Sequence, residues 1–236
     1  MLQSITITRK ELNRGIKEVM KVEGFKYIPS SMGGIIMRKF ANGDFWWISY
    51  QIIDSARYHS LYELGFRIRI GIIEQLLLDF IPKFTTNSIK PEYWPTYTEQ
   101  WGLYGWSERE QERFSSIRSM EDIGLVISEF KELYQEKKGG IFGKFHNLKA
   151  INEWYWVRVE NFPSEWPDKF NALAISQSIF RHLGISKLAK DPKYDDLVNI
   201  YRNKVHGLDD EAFQQTFNEF VIYLTTHELP KWQRPW

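Results

Sequence analysis

A chain of 236 residues that is 43% hydrophobic and 26% charged has the composition of an ordinary globular protein and can bury a substantial core. It has no cysteine, which excludes disulfides, thiolate zinc sites and cysteine nucleophiles and makes a reducing cytoplasm the expected setting. The net charge of +1 is uneven, with 11 basic against 6 acidic residues in 1–70, 6 against 12 in 71–136 and 14 against 12 thereafter, and no lysine or arginine run is dense enough for a nucleic-acid arm.

The first predicted element is a helix. Thr8 and Glu11 stand at capping-box spacing, Ile7 and Leu12 at staple positions, and Leu12, Ile16, Val19 and Met20 form one apolar stripe that Gly24 is placed to end. Residues 25–28 read as a short strand closed by Pro29. Residues 35–40 and 45–53 flank Asn42-Gly43, the dipeptide suited to a tight hairpin turn. A further strand over 61–70 alternates Phe66, Ile68 and Ile70 with Arg67 and Arg69, so an antiparallel sheet of about four to six strands is expected. A short helix follows over 72–80, then a stretch broken by Pro82, Pro91 and Pro95, with weaker strands predicted over 100–104 and 113–117.

From Ser119 the period turns helical. Ser119 and Asp122 make a capping pair ahead of the stripe Ile123, Val126, Ile127, Phe130 and Tyr134. Further helices are predicted over 150–157, 169–183, 194–205 and 211–224, with Gly184 and Gly207 as stops. The fold class is therefore α+β, an antiparallel sheet in the N-terminal half packed against a helical C-terminal half. It is read as one domain over 1–236, with a sheet-bearing portion over 1–118 and a helical portion over 119–236.

The N-terminal residues have no apolar core of the length a secretory signal needs. The longest apolar run, near 70–78, falls far short of the roughly 20 residues that span a bilayer. No membrane association is expected.

The capped helix ending in Gly24-Phe25-Lys26, the hairpin, the strand Gly65-Phe66-Arg67-Ile68-Arg69-Ile70-Gly71, the helix start Ser119-Met120-Glu121-Asp122 and the Phe142, Phe145, Leu148 segment follow one another in a characteristic order. In that order of elements and apolar positions, from Thr8 to Leu224, the chain resembles the bacterial domain of unknown function 4304 family. The resemblance implies the fold and carries no activity, cofactor or catalytic residue with it.

Three constellations are candidates for function. The aromatics Tyr93, Trp94, Tyr97, Trp101, Tyr104 and Trp106 lie among prolines and glycines that predict a surface loop, where exposed rings would bind a partner or a sugar. Arg67 and Arg69 share a strand face and would lie beside Phe45 and Trp47 if the register allows, an arrangement suited to an anionic ligand or to unstacked bases. Arg202 and His206 are similar to the arginine-to-histidine signature of the HEPN helical ribonucleases, with three residues between them where that signature has four or more. The plainer reading makes His206 a last-turn residue facing the helix dipole. The five histidines fall at no zinc spacing, and phosphate-loop, dinucleotide, nucleophile-elbow and HExxH patterns are all missing. No metal, cofactor or catalytic residue is assigned. The leading expectation is a non-enzymatic, immunity-like bacterial module that binds another protein. The alternative is an RNA-binding protein or ribonuclease using Arg202 and His206.

Overall fold

The computed structural model describes residues 4–30, 33–55, 57–80, 95–101, 114–143, 147–161 and 172–232. It has the expected α+β architecture, with a five-stranded antiparallel sheet in the N-terminal half and helices in the C-terminal half. Contacts gather the chain into two compact units, Met1–Arg69 with Tyr97–Gly143, and Ile70–Thr96 with Lys144–Trp236. This division does not follow the predicted boundary at 118/119, because the helix that begins at Met120 belongs to the sheet-bearing unit.

The first unit opens with α1 (Ile5–Lys21). The helix starts three residues before the predicted cap: the Ser4 hydroxyl accepts from the Ile7 amide, and Thr8 is turned into the core at 1% exposure. Thr8 therefore joins Leu12, Ile16 and Met20 on a buried stripe of period four. Its end is as predicted. Gly24 adopts φ +80°, the Gly24 amide donates to the Lys21 carbonyl and the Phe25 amide to the Met20 carbonyl, which closes the last turn.

The strands β1 (Lys26–Pro29), β2 (Gly33–Lys39), β3 (Phe45–Asp54), β4 (His59–Arg69) and β5 (Tyr97–Trp101) lie in that spatial order, every neighbour antiparallel. Between β2 and β3, Gly43 alone takes a positive φ, +82°. The Gly43 amide donates to the Phe40 carbonyl and the Phe40 amide to the Asp44 carbonyl, a three-residue loop in place of the two-residue turn that Asn42-Gly43 predicts. One more strand lies within the stretch predicted to be a loop, since β5 runs over 97–101 where 100–104 was expected. At the other predicted strand, Ile117 makes only an isolated bridge to His59.

The helix α3 (Met120–Lys137) begins with the predicted capping box: the Asp122 amide donates to Ser119 Oγ at 3.2 Å and the Ser119 amide to Asp122 Oδ2 at 2.8 Å. A π-helical turn, Lys138–Gly143, follows directly. It brings Phe142 flat against Trp46, with ring centroids 4.4 Å apart, and edge-on to Phe66 at 6.2 Å. Lys138 donates to Glu23 Oε2 at 2.6 Å, tying this turn to the end of α1. Trp46, Ile48, Phe66 and Ile68 thus form the sheet's contribution to the first core, at 5% exposure or less.

The second unit contains α2 (Gly71–Leu77), α4 (Leu148–Asn161), α5 (Ala172–Leu188), α6 (Tyr194–His206) and α7 (Glu211–Thr226). Phe180 and Phe220 pack at 4.9 Å, Phe80 and Phe220 also at 4.9 Å, and Phe180 and Phe213 at 5.8 Å. Gly184 does not stop α5 as predicted. It is carried inside the helix, and the chain turns only at Lys190, which adopts φ +55° while the Asp191 amide donates to the Ser186 carbonyl. Packing decides this point, because Phe180, Leu183 and Ile185 are all buried around the glycine, and burial of that stripe outweighs the roughly 1 kcal/mol that glycine costs a helix.

Candidate functional site

Antiparallel pairing of β3 with β4 sets Phe45 opposite Arg69 and Trp47 opposite Arg67. Period-two alternation places these four residues on the face opposite Trp46, Ile48, Phe66 and Ile68. The Arg67 guanidinium carbon lies 4.9 Å from the Trp47 ring centroid, and that of Arg69 lies 5.9 Å from the Phe45 ring. The register that the sequence left open is therefore the one that joins cations to rings. The two arginines differ in surroundings: Arg69 is 6% exposed and forms part of the packed layer with Phe45, whereas Arg67 is only half-buried.

Beside Arg67 the sheet surface is indented by an open recess of about 210 Å³. Ile35 and Trp47 supply its apolar side, and Ser30, Ser49, Gln51 and Arg67 supply polar groups. Three local features shape it. Gly65 stands opposite Ser49, and a Cβ at Gly65 would come within 3.2 Å of Ser49 Oγ, so the absence of a side chain keeps the floor open. The pairing then jumps from Ser49–Gly65 to Gln51–Tyr62, so two residues of β4 stand opposite Tyr50, an irregularity of the kind that re-aims side chains at sites. Tyr50 is anchored from behind, its hydroxyl donating to Asn13 Oδ1 at 2.8 Å, and burial pushes its phenol pKa far up, so it stays neutral.

Among the described residues that line this recess, Arg67 is the charged one. These described residues bring a permanent positive charge together with hydroxyl and amide hydrogen-bonding groups. Among the described residues, no cluster of three or more histidines and carboxylates is arranged to hold a metal ion. No helix among them is long and apolar enough to cross a membrane.

The remaining predicted site residues are dispersed. Tyr97 and Trp101 are not loop residues: they begin and end β5, opposite Ile68 and Leu64 of β4. Tyr93, Trp94, Tyr104 and Trp106 lie outside the described residues. Arg202 and His206 both lie on α6, in the other unit, where Arg202 Nη1 donates to Asn199 Oδ1 at 3.2 Å and His206 is exposed as the last residue of the helix. In the second unit, burial pushes His182 down to about 3 despite the opposing pull of Asp191. It is fully buried, with Tyr201 Oη 2.8 Å from its Nδ1 and the Tyr155 ring stacked at 5.1 Å, so it belongs to a packed core and not to a cleft.

Sequence reasoning named Arg67 and Arg69 and missed Ser30, Ser49, Gln51 and Gly65. The alternation of β3 carried a signal for two of them, since Phe45, Trp47, Ser49 and Gln51 occupy successive positions on one face. Ser30 and Gly65 become neighbours only through the register. Compared with known proteins, the chain matches no family model, no curated protein and no solved structure.

Proposed function

We propose that the chain is a non-enzymatic, cytoplasmic bacterial binding module that holds or masks another protein, as an immunity protein does, and that it uses the outer face of β3 and β4 to do so. The observation that carries this reading is the half-buried Arg67 guanidinium, 4.9 Å from the Trp47 ring, beside an indentation of the sheet surface. Arginine and tryptophan are the residue types most enriched at the energetic centres of protein interfaces. The size of the recess points the same way: at about 210 Å³ it falls below the roughly 300–1,000 Å³ typical of sites that enclose a cofactor or a drug-sized ligand, and it suits a single side chain.

The test is affinity capture from the native host with the wild type and with Arg67→Glu, both checked for folding by circular dichroism. A protein recovered in equal amount with the wild type and reduced about tenfold or more by the charge reversal supports the reading. Recovery of RNA in place of protein, together with RNA cleavage lost in His206→Ala, would instead establish the ribonuclease alternative.

A further inference from the structure

We infer that Asn42 is a covalent modification site, at which the loop between β2 and β3 converts its own asparagine to aspartate and isoaspartate with release of ammonia. This chemistry is independent of the binding reading above. Asn42 is the only asparagine in the sequence that is followed by glycine. Ring closure needs the backbone nitrogen of the next residue to reach the carboxamide carbon, and a glycine, having no Cβ, hinders that approach least. Asn42 and Gly43 are both exposed, and Gly43 lies between the strands at φ +82°. The Asp44 amide donates to Asn42 Oδ1 at 3.2 Å, where negative charge gathers as the ring closes, so it stabilises the tetrahedral intermediate. Against this, the Gly43 amide must leave the Phe40 carbonyl, 3.2 Å away, and releasing one such bond slows the step by a factor of about five.

In the first step the Gly43 nitrogen gives its proton to hydroxide and bonds to Asn42 Cγ. The Cγ–Nδ2 bond breaks, and Nδ2 takes a proton from water and leaves as ammonia. Water then opens the succinimide at either carbonyl, giving aspartate or an isoaspartate whose main chain is longer by one methylene. The fold opposes both products. Asn42 Nδ2 donates to Asp44 Oδ2 at 3.0 Å, and Asp44 is 1% exposed. Conversion puts a carboxylate oxygen where that donor stood, so an attractive contact becomes a like-charged one, whatever other partners Asp44 has. The Asp44 carbonyl accepts the Phe40 amide at 2.9 Å, so the change falls on the bonds that close the hairpin, beside the Phe40–Trp46 ring contact at 5.3 Å. The modification therefore loosens this end of β2 and β3.

The experiment incubates the full wild-type chain at neutral and at mildly alkaline pH and maps its peptides by mass spectrometry, with isoaspartate detected by enzymatic carboxyl methylation. Conversion is expected at Asn42, faster in alkali because the Gly43 nitrogen must lose a proton. It should run at least about tenfold faster than at the asparagines inside α1, α4, α6 and α7, where ring closure would break consecutive helix bonds. Conversion at Asn42 no faster than at those positions would overturn the inference. The consequence is read by amide exchange of the ¹⁵N-labelled chain. Asn42→Asp, which installs one product, is expected to speed exchange of the Phe40 amide by about fivefold or more, and Asp44→Asn in the same chain to reverse most of that gain. Unchanged exchange in Asn42→Asp, or the same gain with and without Asp44→Asn, would overturn the claim that the product is set against Asp44.

Discussion

Arg181 and Glu74, 107 residues apart in sequence, form a two-pronged ion pair inside the second unit, with Nε to Oε1 at 2.9 Å and Nη2 to Oε2 at 3.0 Å. Glu74 is fully buried and Arg181 is 7% exposed. The Thr96 hydroxyl donates to Glu74 Oε1 at 2.8 Å while accepting the Ile70 amide at 2.8 Å, and the Tyr155 hydroxyl donates to the Thr96 carbonyl at 2.8 Å. The Glu74 carboxylate thereby joins α2 to α5 and to Thr96, whose backbone carbonyl is held in turn by α4. Burial alone would lower the Arg181 pKa, but the Glu74 charge more than offsets it, so the guanidinium stays charged.

This pair makes the first prediction. Arg181→Met leaves a carboxylate buried without its cation and is expected to cost about 3–5 kcal/mol, whereas Glu74→Leu combined with Arg181→Met costs much less, because both charges are removed together. Urea unfolding of the two single variants and the double variant measures the coupling. Additive losses would show that the pair does not act as a unit.

Acid sensitivity is predicted from His182. Its folded-state pKa, pushed down to about 3 by burial, lies below the ordinary 6.5 of the unfolded chain. The unfolded state therefore binds the extra proton first, so stability is complete above about pH 6.5 and is lost progressively as pH falls toward 3. Between pH 6.5 and 5 the lost stability should approach about 1.4 kcal/mol per pH unit. Urea midpoints across that range should fall in the wild type and stay level in His182→Phe, and an equal slope in both would assign the effect to another group. Asp191 acts lower on the scale. Partial burial raises its pKa, but the Lys193 amide, Trp156, Asn152 and Ser186 together outweigh that and hold it below the ordinary value, so its contribution is present above about 3.8 and lost below it.

Two positive-φ positions should respond in opposite directions. Lys190, at φ +55°, is a side-chain-bearing residue where glycine would sit without strain, and Lys190→Gly is expected to stabilise by about 0.5–1 kcal/mol. Gly24, at φ +80°, already holds the favoured residue, and Gly24→Ala is expected to destabilise by about 1 kcal/mol. Thermal melts of both variants check the signs.

At the start of α3 the partners are reciprocal, so their losses should overlap. Ser119→Ala and Asp122→Ala are each expected to cost about 1 kcal/mol, and the double variant less than the sum. Asp122 should also titrate below an ordinary aspartate: partial burial raises its pKa, but the Arg118 amide and the hydroxyl and amide of Ser119 together outweigh that. Carboxyl chemical shifts followed with pH test this directly.

Sequence alone determined those features whose free energy is local. The Ser119–Asp122 box, the apolar stripe of α1, the end of that helix at Gly24 and the alternation of β4 could all be read because a cap, a left-handed glycine and a period of 2 or 3.6 act over a few neighbouring residues. Where local signals compete with distant packing they misled: Gly184 lies inside α5 because a buried stripe outweighs one glycine, and Thr8 is core and not cap because Ser4 starts the helix earlier. The site depended on tertiary structure more strongly still. That Arg67 meets Trp47 and Arg69 meets Phe45 follows from strand register, and a slip of one residue would have put the two arginines on the face opposite the two rings. Register is set by the summed burial of the whole sheet, as is the meeting of Ser30, Ser49 and Gly65 around one recess, and no short stretch of chain contains that sum.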